Sequence, residues 1–287
     1  MGASVRARLL TIARERNQLF HFVLTRFVLE RLLYRLTLTS YRDRFALKGA
    51  MLTATWFADP HRPTREIDLL GFGDSDGGAM ITVFREVCAV AENDGVIFDT
   101  NALRVELVRD DLEYGGLRLR TEAQVDGARV PVTIDIGFGD ATEPGLEEFE
   151  LPVLLDFAAP RLRSYARETV IAEKFEAIVK LGRANTRLKD FYDIWVMSRS
   201  YEFDDDRLAR ALLATFSRRR TLLPAEPPDG LTAAFANDPA KRRQWTAFLA
   251  DVSVQPGDLK TVIGDLATFL IPHATRAAAS AQADSAT

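Results

Sequence analysis

The sequence predicts an α+β chain, with a mixed sheet and flanking helices in its first half and a mainly α-helical second half. Three observations carry this. In the first half, runs with period-two alternation or dense β-branched residues interleave with segments of helical period. Asp126-Gly127, between "GGLRLRTEAQV" and "ARVPVTIDIGFG", is a two-residue hairpin signal, so part of the sheet is antiparallel. After "EPGLEEFELPVLLDFAAPRLRSY" the strand signals fade and helical periods take over.

Taken in order, residues 3–38 read as helices. In "FHFVLTRFVLERLLYRL" apolar residues recur at three and four, with Arg26, Glu30, Arg31 and Arg35 between them. "RFALKG" is a short strand, and "AMLTATWF" has the composition of a helix that starts directly after Gly49. "TREIDLLGFG" is the second strand, followed by the helix "GGAMITVFREVCAVAEN" and the extended segments "VIFDTNALRVELV", "GGLRLRTEAQV" and "ARVPVTIDIGFG". The second half contributes the helices "RETVIAEKFEAIVKLGR", "RLKDFYDIWVMSRSY", "DDDRLARALLATFSRRR", "DPAKRRQWTAFLADV" and "DLKTVIGDLATFLIP", with caps or breakers between them. The expected division is an α/β domain with N-terminal helices over 1–160, a helical domain over 161–273, and a small, polar, disordered tail over 274–287.

Bulk composition selects no function but excludes several. Of 287 residues 47% are hydrophobic and 27% charged, as in ordinary globular chains. A net charge of −4 argues against indiscriminate wrapping of nucleic acid. Between Ala158 and Arg220, however, 14 Lys and Arg face 9 Asp and Glu, so a polyanion can dock there, or the excess is simply a helical surface laced with Arg. Cys88 is the only cysteine, which removes an intramolecular disulfide and a cysteine metal cluster; at its helical spacing it reads as a core thiol. The three histidines, His21, His61 and His273, have no partner at metal or triad spacing. No apolar run reaches about 20 residues, and the start lacks a signal peptide's hydrophobic centre, so no membrane partner and a cytoplasmic address are expected.

The chemistry-bearing pattern is "TREIDLLGFG". Glu66 and Asp68 share one face of a strand, while Ile67 and Leu69 point to the core. Neighbouring carboxylates repel, and a cation between them relieves the cost. In "VPVTIDIGFGD" Asp135 interrupts another apolar strand; if the two strands are neighbours, it joins the pair. Hard oxygen ligands of this kind suit Mg²⁺. The same acids also fit the wet face of an antiparallel sheet. Upstream, "FALKGAML" is strand, Lys-Gly, helix. Lys48 and the backbone of Gly49 and Ala50 can receive a phosphate at the helix start. The paired acids begin 17 residues after Gly49, giving an ordered set of phosphate cradle, metal ligands and a third ligand on a later strand.

That order resembles the nucleotidyltransferase fold of the polymerase-beta-like superfamily, with its Gly-Ser or Gly-Gly turn, Asp-x-Asp and third acid. "EKFEAIVKLGR" followed by "RLKDFYDI" is similar to the Lys-led helix and Arg-x-Lys-Asp-x-x-Asp motif of the AbiEii/AbiGii toxin family, which includes the MenT-type toxins. Two departures stand out: the first acid is Glu66 rather than Asp, and Ala50 replaces Ser after the glycine. A salt-bridged structural helix explains Arg187, Lys189, Asp190 and Asp193 too, and without the strand acids it is the preferred reading.

The resemblance implies a nucleotidyltransferase-type sheet and a Mg²⁺-dependent toxin. Such a toxin moves a nucleoside monophosphate from an NTP to the 3′ end of tRNA, blocks translation, and has a cognate antitoxin. Glu66, Asp68 and Asp135 would hold the metal, with Asp68 indispensable. Lys48, Gly49, Ala50, Arg187 and Lys189 would seat the nucleotide. Lys174 would lie on the phosphates, and Asp190 would assist the chemistry or hold Lys189 and Lys174 in place. "SRRR" at 217–220 and "KRR" at 241–243 are the segments expected to engage tRNA phosphates. The alternatives are a nucleotidyltransferase or phosphotransferase that modifies a protein or small molecule, and a binding module whose catalytic site has decayed.

Overall fold

The computed structural model describes residues 1–57, 64–108, 115–250, 252 and 254–285; His61 lies outside the described residues. The chain divides into two compact units, Met1–Gly139 with Glu147–Ser164, and Asp140–Leu146 with Tyr165–Thr287.

The first unit opens with α1 (Gly2–Glu15) and α2 (Phe20–Thr37) and is built on an eight-stranded mixed sheet. In chain order come β1 (Phe45–Lys48), the short α3 (Gly49–Thr53), β2 (Glu66–Gly71), α4 (Gly77–Ala89), β3 (Val96–Phe98), β4 (Arg104–Val108), β5 (Gly116–Val125), β6 (Ala128–Phe138), β7 (Leu146–Glu150) and β8 (Arg161–Tyr165). The spatial order is β3-β5-β6-β2-β1-β8-β7, with β4 also paired to β5. The segment read as one extended stretch from Val96 to Val108 is two strands. Asp99 Oδ1 accepts from the backbone N–H of Asn101 and Ala102, which turns the chain between them. Strands β7 and β8 do not stand out in the sequence because both are short and rich in charge, β7 at the edge of the sheet and β8 between it and β1.

The β5–β6 hairpin turns where the Asp-Gly pair sits. Val125 faces Ala128, and both Asp126 (φ 47°) and Gly127 (φ 79°) adopt the left-handed conformation that such a turn demands. Alternate residues Ile67, Leu69, Leu117, Leu119, Ile134 and Ile136 are buried. Helix α1 packs on β5, α2 on β6, and α4 on β4 and α2.

The charges interleaved in α2 are not a solvated face, for Glu30, Arg31 and Arg35 are buried. Arg31 Nε donates to Asp94 Oδ2 at 2.8 Å, and Arg35 donates to both Asp94 oxygens at 2.6 and 3.0 Å. Burial opposes ionisation of Asp94, but the hydrogen bonds from Arg35 and Arg31 outweigh it and hold its carboxyl below the usual range. One carboxylate thus ties α2 to the chain entering β3. Cys88 in α4 is buried and its thiol is pushed up to about 12, which makes it inert as a nucleophile.

The second unit is helical: α5 (Arg167–Leu181), α6 (Leu188–Ser200), α7 (Asp205–Arg218), α8 (Ala233–Asn237), α9 (Pro239–Leu249) and α10 (Leu259–Ser285). Helix α7 packs against α5 and α10, and α6 against α5, α9 and α10. Residues 274–285, expected as part of a disordered tail over 274–287, lie in α10, which runs through Pro272 to Ser285, and residues 286–287 lie outside the described residues. Residues 274–283 are rich in alanine, the best helix former. Ala274 and Ala277, three apart, are completely buried, and Arg276 pairs with Asp205 and Asp206 at the start of α7.

Removing the shared carboxylate of the first unit leaves two buried guanidinium groups without their partner. Asp94→Ala is therefore expected to lower unfolding stability by about 3–5 kcal/mol, read as a shift of the urea midpoint; a shift under a quarter of that size would show the cluster to be passive.

Candidate active site

Two neighbouring strands gather the three acids, Glu66 and Asp68 from β2 and Asp135 from β6. In the parallel β2–β6 pair Asp68 stands opposite Asp135 and Glu66 opposite Thr133. Because direct partners in adjacent strands project to the same face, the carboxylates meet on the side away from Ile67 and Ile134. One oxygen from each of Glu66, Asp68 and Asp135 lies within 4.8 Å of the others, and all three residues are half-buried. Among the described residues this is the one such cluster of His, Cys, Asp or Glu. Ligands at about 2.1 Å from one Mg²⁺ sit roughly 3 to 4 Å apart, so little closure separates this set from an ion's coordination sphere.

The row continues on both sides. In the antiparallel β1–β2 pair Lys48 stands opposite Asp68, and in the β5–β6 hairpin Arg118 stands opposite Asp135. Across four strands the order is Lys48, Asp68, Asp135, Arg118, with basic residues outside and acids inside. Arg118 is the residue that sequence reasoning missed. Its Nε and Nη2 donate to Asp135 Oδ1 and Oδ2 at 2.7 and 2.6 Å. These bonds push the Arg118 pKa up, burial opposes them, and the charges of Asp135, Glu66 and Glu106 add to them. A signal was available: seven residues back from Val125 and seven on from Ala128 across the Asp-Gly turn lead to Arg118 and Asp135.

Gly49 follows Lys48 at the start of α3 with φ +69°, and a Cβ there would overlap the Asp68 carboxylate. The glycine is therefore required twice, by backbone conformation and by close approach. Helix α3 is shorter than the expected "AMLTATWF" and ends at Thr53. Five residues align few peptide dipoles, so any anion there meets mainly the first backbone N–H groups, with Gly49 and Ala50 in that turn.

The second unit holds the other candidate residues. Lys174 on α5 donates from Nζ to Asp190 Oδ1 at 2.9 Å and to Asp193 Oδ2 at 2.8 Å, both on α6. The aspartates, three apart, share one helix face. Arg187 Nε lies 2.8 Å from the fully buried Asp190 Oδ2, an ion pair whose angle falls short of a hydrogen bond. Asp190 thus binds Lys174 and Arg187 at once, while Lys189 beside it is half-buried. Of the basic segments, Arg219 is engaged by Asp140, Glu173 and Glu176 at 3.1, 3.0 and 3.0 Å. Lys241 is buried and donates to the Asn185 carbonyl at 2.6 Å. These two are structural cations, whereas Arg218, Arg220, Arg242 and Arg243 are exposed.

Comparison with known families decides the class. The model of the family described as "Nucleotidyl transferase AbiEii toxin, Type IV TA system" matches residues 31–277. The chain belongs to the AbiEii nucleotidyltransferase toxin family. As an AbiEii protein it is a nucleotidyltransferase toxin of a toxin–antitoxin system, with an NTP as substrate and an antitoxin as partner.

The fold is similar to that of MenT4, a nucleotidyltransferase toxin from Mycobacterium tuberculosis H37Rv, with a TM-score of 0.60 and 18% identity over 96% of this chain and 89% of that one. Two Helicobacter pylori structures are also similar: JHP933 (TM-score 0.49, 15% identity, 90% and 94% covered) and a putative nucleotidyltransferase (0.48, 17%, 87% and 91%). No curated protein sequence matches. Among the described residues no helix is long and apolar enough to cross a membrane.

Nucleotidyltransferases of this kind use a divalent metal, and the residues present fit one. Three hard oxygen donors converge, and the site already attracts a cation in Arg118.

Because any side chain at position 49 displaces Asp68, Gly49→Ala is expected to cut nucleotide transfer by about a hundredfold, the cost of misplacing a reacting group by roughly 1 Å. Incorporation of labelled nucleotide measures it; full activity in a folded variant would show that the close approach is dispensable.

Proposed function

We propose that this AbiEii toxin transfers a nucleoside monophosphate from an NTP to the 3′ end of tRNA with the help of Mg²⁺, and blocks translation by occupying the acceptor end. The new bond joins the tRNA 3′ oxygen to the α-phosphorus, the α–β phosphoanhydride bond breaks, pyrophosphate leaves with its electron pair, and the hydroxyl proton passes to water or a carboxylate. The observation that carries this reading is the gathering of Glu66, Asp68 and Asp135 beside the Lys48-Gly49 turn. Bound there, Mg²⁺ would neutralise phosphate charge and acidify the attacking hydroxyl.

The chain's own residues do the positioning. Asp68 is fixed between Lys48 on one neighbouring strand and Asp135 on the other, so its carboxylate is aimed without a flexible loop. Glu66 brings the same group on a longer stem, which changes its reach but not its chemistry. The backbone N–H groups of Gly49 and Ala50 are donors for phosphate oxygens, with Lys48 adjacent. Lys174 is assigned to phosphate charge, oriented by Asp190 and Asp193, and Arg187 and Lys189 to nucleotide contacts. The exposed Arg218, Arg220, Arg242 and Arg243 are the cations for tRNA phosphates.

The deciding experiment incubates purified protein with each α-labelled NTP, Mg²⁺ and bulk tRNA and resolves the products on a denaturing gel. Label on tRNA is expected; label on protein or a small molecule instead would overturn the choice of acceptor. Asp68→Ala should abolish both labelling and growth arrest, a loss of at least about a thousandfold for a metal-binding acid, and growth arrest that survives it would point to a non-enzymatic toxin. Replacing Arg242 and Arg243 with Ala should reduce the slope of log affinity for tRNA against log salt by about one per arginine; an unchanged slope would remove them from the docking surface.

A further inference from the structure

We propose that Arg118 is a resident counter-ion of the carboxylate site. It holds Asp135 while the site is empty and moves to a nucleotide phosphate when cation and nucleotide load. This rests on the reading of Glu66, Asp68 and Asp135 as metal-binding.

The register places Arg118 at the end of the acidic row, directly opposite Asp135, so its attachment follows from strand pairing and not from a chance rotamer. The pairing is two-pronged, at 2.7 and 2.6 Å, so both carboxylate oxygens are taken. A divalent ion drawing on Asp135 must share those oxygens with a guanidinium a few ångströms away, and two cations that close repel. Arg118 therefore competes with the metal for the third ligand.

Charge balance points the same way. Three carboxylates against Lys48 and Arg118 leave the row one net negative charge, so a divalent ion arriving without nucleotide would make it positive. A nucleotide triphosphate brings further negative charge with the metal. Once Asp135 turns to the ion, that charge offers the released guanidinium a new partner stronger than Glu106 opposite it on β4, and its planar fork suits phosphate as it suits carboxylate. Movement is sterically open: the Arg118 and Asp135 side chains retain 31% and 24% of their exposure, while the Arg118 backbone stays fixed in β5 between its partners in β4 and β6. Arg118 is thus a positioning residue that sets the order of loading, because cation alone must displace it while cation with nucleotide offers it a replacement.

Manganese is the probe, with free Mn²⁺ followed by electron paramagnetic resonance in the full-length protein. Wild type, Arg118→Gln, Arg118→Lys and Asp68→Ala are titrated with and without the four α,β-methylene nucleoside triphosphates. Without nucleotide, Arg118→Gln should bind Mn²⁺ about tenfold more tightly than wild type, as expected when charge-assisted hydrogen bonds no longer have to be broken, with Arg118→Lys in between. Adding the analogue should tighten Mn²⁺ binding in wild type by a larger factor than in Arg118→Gln. If wild type binds Mn²⁺ better than Asp68→Ala, yet neither Arg118 variant binds more tightly than wild type, the counter-ion role is wrong and the metal site stands. If wild type binds no better than Asp68→Ala, the metal reading fails and this inference falls with it.

Discussion

Like charges brought together on one face of a sheet are the constraint on which the rest of this site depends. Glu66, Asp68 and Asp135 lie where mutual repulsion is costly, and backbone pairing alone forces them into proximity. The sheet can bear this because the opposite face is apolar and buried: Ile67, Leu69, Ile134 and Ile136 anchor the strands that carry the acids. Each such side chain contributes roughly 1.5–3 kcal/mol on burial, so the core that fixes the register also offsets the electrostatic strain. Lys48 and Arg118 bracket the acids within the same row and lower that strain further.

A different solution to the same problem appears in the helical unit. There Arg219 sits among the three carboxylates of Asp140, Glu173 and Glu176, while Lys174 bridges Asp190 and Asp193 with Arg187 also on Asp190. Asp190 is fully buried, which is tolerable only because Lys174 and Arg187 both approach it. Removing either partner exposes the remaining groups to an uncompensated charge, so the motif behaves as one unit. Spacing along α6 shows which residues share a face; it does not show that their partner is a lysine from α5.

Much of the site was legible because it is written in period-two strands. Glu66 and Asp68 break an apolar run at alternate positions, Asp135 breaks another, and Gly49 marks a turn that admits no side chain. What stayed hidden depends on contacts between distant segments. The burial of Arg31 and Arg35 is not marked locally, because their partner, Asp94, is far away in sequence. Strands β7 and β8 are short and rich in charge, and only the pairing of β8 with β1 and of β7 with β8 makes them strands. The alanine-rich end of α10 looks featureless because alanine's packing value depends on a neighbour close enough to touch.

The Asp126-Gly127 turn is where local geometry reaches furthest. It lies seven residues, or about 23 Å of extended strand, from the Arg118–Asp135 pair, yet it alone sets which residues of β5 and β6 confront one another. Lengthening that loop by a single amino acid and shifting the ladder by one would rotate the arginine to the hydrophobic side and bring a leucine against the aspartate. The two positions of the hairpin tip are thus the ruler by which the distant charges are measured out, and natural variation in the length of this tip should be far rarer than variation in its side chains.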